Sequence, residues 1–144
     1  MKRKVILLAS LLLAAGCATP QAEPDLARAM AGESQVSGSA LDRRIAAAAR
    51  HPLGAQNNPV RAEMPMGQRA YLDRLRCSDG QAPQYERIGN FGVGVYGNIV
   101  DGYRVDCGAA QPGQVQVFID MYHRGYVEDR PVPGFTIVPR GQGK

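Results

Sequence analysis

The sequence predicts an α+β fold: a small, mainly antiparallel β-sheet with one N-terminal helix, held by one disulfide. Three observations predict it. Gln114 to Tyr122 alternates, with Val115, Val117, Ile119 and Met121 on one face and Gln114, Gln116, Phe118, Asp120 and Tyr122 on the other; that period of two belongs to a half-buried strand. Ser39 to Arg50 instead places Leu41, Ile45 and Ala48 or Ala49 on one helical face. Cys77 and Cys107 bracket a run rich in glycine and tyrosine, with strand patterns at or just outside its ends.

In chain order, the first 16 residues read as an export leader. Lys2, Arg3 and Lys4 precede an apolar run from Val5 to Ala15, broken only by Ser10. The run is too short for a permanent membrane span and has the three-part layout of a signal peptide. Ala14-Ala15-Gly16-Cys17 resembles the lipobox of bacterial lipoproteins, with alanine where an aliphatic residue is more usual at its first place. The resemblance implies that Cys17 receives a diacylglycerol, that the chain is cut before it, and that acyl chains then anchor the protein in a membrane. Ala18 follows, where an aspartate would mark inner-membrane retention in enterobacterial lipoproteins. The expected location is therefore the periplasmic face of the outer membrane. The alternative is an ordinary cleaved signal in which Cys17 is incidental.

Residues 17–38 mix Pro, Ala, Gly, Ser and charges with no lasting period, as a lipid anchor and flexible tether would. Residues 39–54 form the helix unit. Ser39 and Asp42 have capping-box spacing, and Pro52 and Gly54 stop the helix. Residues 55–144 form the disulfide-tied, β-rich domain. Within it, Pro59 to Glu63 is extended. Gln68 to Cys77 fits two patterns: a helix pairing Tyr71 with Leu75, or a strand with Tyr71, Asp73, Leu75 and Cys77 on one face. The turn signal Ser78-Asp79-Gly80 favours the strand, with Gln84 to Ile88 returning as its partner. Ile99 to Cys107 alternates, with Asp101 an exception on its apolar face, and Gly108 to Gly113 is a hairpin loop. The tail from Arg130 to Pro139, with three prolines, can only be extended or an edge.

A length of 144 residues is one domain. The formal charge of +4 overstates the basicity. Removing the three leader cations leaves 14 basic residues against 13 acids, a balance of +1. The arginines are scattered, so no nucleic-acid footprint is present. Three cysteines leave one odd, and lipidation of Cys17 accounts for it. Export makes a Cys77–Cys107 disulfide chemically allowed; free thiols or a metal pair are the alternatives, and zinc lacks further soft ligands nearby.

Several features bear on function. Gly92-Val93-Gly94-Val95-Tyr96-Gly97 matches G-x-G-x-x-G, but a dinucleotide site needs a helix after it, and here a strand pattern comes next. Asp120 and His123 are candidates for an acid–base or metal pair. In a continued strand they face opposite ways, so they converge only if the strand ends in a turn at Tyr122. His51 and Asp101 are further candidates for such a site. Asn90, Tyr96, Asn98 and Tyr103 could instead form a contact surface within residues 89–103, since tyrosine offers both an apolar body and a hydroxyl. No cofactor is implied.

Beyond the lipobox, the strings NPVR, YLDRLRC, YGNIVDGYRVDC, DMYH and PVPGF resemble small uncharacterised envelope proteins of proteobacteria. The resemblance spans residues 51–138 and implies no activity. The first expectation is a lipid-anchored binding or structural module that meets an envelope protein or cell-wall polymer. The alternative is a small periplasmic hydrolase or metal-binding protein using His123 with Asp120, Asp101 or His51.

Overall fold

A computed structural model describes residues 30–141. The leader, Cys17 and the first part of the tether lie outside the described residues. Among the described residues, no helix is long and apolar enough to cross a membrane.

Helix α1 spans Gly38–Ala48. Its N-cap is Ser37, and no side chain caps it. Ser39 therefore sits inside the helix, where its hydroxyl accepts from Arg43 at 3.3 Å instead of starting a capping box with Asp42. Strand β1, Val60–Arg61, comes next. Helix α2, Met64–Leu72, is followed by the two-residue strand β2, Leu75–Arg76. The strand reading of Gln68 to Cys77 is thus corrected over most of its length. Pro65 stands in the first turn, where a missing N–H costs nothing. Gln68, Tyr71 and Leu72, spaced three and four apart, are the buried residues. The Ser78-Asp79-Gly80 turn is real, with the Gly80 N–H bonded to the Cys77 carbonyl at 2.9 Å, but only Leu75–Arg76 before it is strand.

The remaining strands are β3 (Gln84–Val93), β4 (Ile99–Asp106), β5 (Gln114–Asp120) and β6 (Thr136–Ile137). The main sheet has the order β1-β5-β4-β3. Only β1 runs parallel to its neighbour. Gln84 to Ile88 therefore pairs with β4, from Gln84↔Asp106 inward, and not with the segment before the turn. The partner of β2 is the tail strand β6. Register shifts interrupt β3 between Arg87 and Gly89 and between Asn90 and Val93. Gly102 must be glycine, because a Cβ there would collide with the Phe91 ring, which packs edge-on against Phe118 at 5.0 Å between centroids.

The core lies on the α2 side of the sheet. Tyr103, Val105, Val117, Ile119 and Val60 meet Tyr71, Leu72 and Leu75 there. Cys77 and Cys107 form the disulfide, with Cα atoms 5.8 Å apart, and it ties β2 to the end of β4. The α+β reading with its single disulfide holds, with a second helix added.

Candidate functional site

Strand β5 ends at Asp120, and the chain turns so that the Tyr126 N–H reaches the His123 carbonyl at 3.0 Å. Ahead of that turn Asp120 and His123 lie close, with Nε2 3.3 Å from Oδ2. Both side chains are sealed: 3% of His123 and none of Asp120 is exposed. The contact is close but poorly aimed. Nε2 is the buried side-chain polar atom, among the described residues, with no hydrogen-bond partner. Asp120 is held by other groups. It accepts from Asn98 Nδ2 at 3.0 Å and from the Tyr122 N–H at 3.0 Å. Tyr96 meets the imidazole edge-on at 5.3 Å.

Asn98 joins this cluster to the segment before α1. Its Oδ1 accepts from the Gln35 N–H at 2.8 Å, and its Nδ2 also reaches Ser34 Oγ at 3.2 Å. The Tyr96 hydroxyl donates to Asn58 Oδ1 at 3.2 Å, and burial pushes that phenol up to about 12. A catalytic pair needs a face on which substrate can sit. His123 borders a cavity of about 360 Å³, but only 3% of its side chain is exposed and Asp120 is fully covered, so the pair is a buried polar knot.

Asp101 belongs to a second cluster on the core face. It accepts from Gln68 Nε2 at 3.0 Å and from Arg87 Nη2 at 2.7 Å. Tyr103 donates to Gln68 Oε1 at 2.7 Å. This explains the aspartate on the apolar face of β4: α2 supplies a glutamine there, and β3 supplies an arginine. His51 lies apart. It is exposed and lines a cavity of about 160 Å³ that contains none of Asp101, Asp120 and His123. The four candidates therefore do not assemble into one site. Among the described residues, no group of three or more His, Cys, Asp or Glu is placed to hold a metal.

Of the four residues expected to form a contact surface within residues 89–103, three are corrected. Tyr96, Asn98 and Tyr103 are buried, at 1%, 3% and 5% exposure. Their polar ends found partners inside the fold, so they are not offered to a ligand. Of the four residues, Asn90 is the exposed one, with its Oδ1 accepting from the Gly92 N–H at 2.7 Å in a local turn. The G-x-G-x-x-G run leads into strand β4, so no helix N-terminus meets the loop.

The feature that sequence reasoning missed is a groove of about 920 Å³ between α2 and the tail. Met64, Met66 and Ala70 line one wall, and Val138 and Pro139 lie across from them. Met64 holds φ at +55°, a left-handed value costly for a side chain of its size. Met66 and Val127 are 70% and 42% exposed. Arg61 and Tyr126 line both this groove and a neighbouring cavity of about 360 Å³. The clearest sequence signal was Met64-Pro65-Met66, two methionines beside a helix start. No protein-family model, curated protein or solved structure matches the chain.

Proposed function

We propose that this protein is a lipid-anchored binding module of the bacterial cell envelope, tethered through Cys17, and that its ligand surface is the groove between α2 and the tail. The observation that carries the binding reading is that groove: a mainly apolar cleft with arginines at its margin on an otherwise small domain. The hydrolase or metal-site alternative has less support, because Asp120 and His123 are sealed and held within the fold. The anchor rests on the leader and its lipobox-like end.

Native mass spectrometry of the protein purified from membranes, before and after reduction, tests both parts. The expected result is acyl mass at the N-terminal cysteine, a two-hydrogen deficit lost on reduction, and a retained molecule that Ala70→Trp displaces. An unlipidated mature chain would overturn the anchor. A retained molecule that survives Ala70→Trp would move the binding site elsewhere, and a stoichiometric metal would restore the alternative.

A further inference from the structure

We propose that the groove binds a carboxylate-headed acyl chain, with Arg61 as the anchor for the head. This rests on reading the groove as the ligand surface and names the ligand's chemistry.

Arg61 is the unusual residue. It is half-buried, and its guanidinium carbon stands 3.7 Å from the centroid of the Tyr126 ring. Among the described residues it has no salt-bridge or side-chain hydrogen-bond partner. Its neighbours have settled their charges differently. Glu128 is clamped by Arg130, Nε to Oε1 at 2.9 Å and Nη2 to Oε2 at 3.0 Å, and also accepts from Tyr126. Asp129 takes Arg74 and Arg140, each at 2.9 Å. Glu128 and Asp129 are therefore paired, while the guanidinium of Arg61 is fixed by stacking alone among the described residues. A stacked guanidinium presents its fork already oriented, and that fork matches a carboxylate with two parallel hydrogen bonds.

The rest of the groove suits a flexible apolar tail. Met64 and Met66 adapt to an irregular chain, as thioethers do. Gly67 and Ala70 are small and leave room along α2. A lone stacked guanidinium favours a single-headed anion. A bulkier head with several charges would want further cations, and of the other arginines lining the groove Arg74 and Arg140 are taken by Asp129 while Arg76 is turned to the backbone carbonyls of Asp73 and Leu75.

The test is titration of the purified mature protein with dodecanoate and, separately, dodecanol, read by calorimetry and by NMR of labelled protein. The expected result is saturable binding of both, with the acid at least about tenfold tighter, as a charge-assisted bond requires. The Arg61 Nε–H resonance should shift with the acid and not with the alcohol. Arg61→Met should bring the acid to the alcohol's affinity. Ala70→Trp, at an exposed helix position, should abolish both. Equal affinity of acid and alcohol, an unmoved Arg61 signal, or a preference that survives Arg61→Met would each overturn the proposal. If dodecanoate does not bind while a photoreactive residue at position 127 captures an envelope protein that Ala70→Trp releases, the acyl ligand is wrong and the groove reading stands.

Discussion

Replacing His123 by alanine separates a structural imidazole from a working one. The ring is 3% exposed, packs edge-on to Tyr96 and lies beside Asp120. Cutting a buried Phe or Trp to alanine costs about 3–5 kcal/mol; for the smaller imidazole we expect about 2–3 kcal/mol. Asp120 keeps its bonds from Asn98 and Tyr122, so no further penalty arises from an orphaned carboxylate. At about 4 °C per kcal/mol for a domain of this size, the melting temperature should fall by about 8–12 °C. Thermal melts read by circular dichroism at neutral pH measure this directly. A double-mutant cycle with Asp120→Ala should be non-additive, because the two side chains touch. A fall of less than about 3 °C would refute the packing argument, since it is smaller than the loss of any well-filled aromatic site.

Three further outcomes are expected. Reducing Cys77–Cys107, which closes a loop with a sequence separation of 30, should cost about 3–4 kcal/mol in the chain-entropy model; an unchanged urea midpoint after reduction would contradict it. Gly102→Val should displace Phe91 from its seat and cost about 1–3 kcal/mol, and adding Phe91→Ala should recover part of that loss in urea titrations. Burial raises the phenols of Tyr85 and Tyr96 to about 12, with Asp73 also raising Tyr85. A folded value above the unfolded one of 10 means that this contribution is complete below pH 10 and is lost as pH rises towards 12. Phenolate absorbance and unfolding should therefore rise together in that window, and tyrosines that ionise near pH 10 in the intact fold would refute it.

The strands that carry alternation were legible because their neighbours enforce it. Val117 and Ile119 face the core from β5, and Tyr103 and Val105 do so from β4. Residues 68–77 misled for a physical reason. Gln68 is polar, yet it is 1% exposed and occupies a core-facing helical position. A polar residue at that position hides the helical period, and Leu75 and Cys77, in or beside β2, extend a strand face back over residues that are helical. The Asp120–His123 approach was legible only as a condition, a turn at Tyr122; the structure instead brings the two side chains close with Tyr122 bridged to Glu63 and the turn falling at residues 124–125. Burial of Tyr96 and Asn98 was not legible, because their partners Asn58, Ser34 and Asp120 are distant in sequence. The groove is also non-local: it draws on residues 61–76, 126–128 and 138–141, and no window of sequence contains its shape.

The buried polar groups explain how such short elements hold a unique arrangement. Among the described residues, the apolar cluster has twelve buried members, and three of the six strands are only two residues long. Apolar packing tolerates small slips of one element on another, because it is not directional. Hydrogen-bonded groups do not tolerate them. Gln68 bridges Asp101 on β4 and Tyr103 two residues on, so a slip of α2 along the sheet would leave Gln68 and Tyr103 unpaired and Asp101 held by Arg87 alone. At about 1–3 kcal/mol for each unsatisfied buried group, such a slip would remove a large share of the net stability of a small domain. Asn98 does the same for the segment before α1, joining Gln35 and Ser34 to Asp120 at the end of β5. The carboxylates that looked like chemistry in the sequence therefore act as register pins. The surface beyond their reach is the groove margin, where Arg61 stands on Tyr126 and lines the cleft.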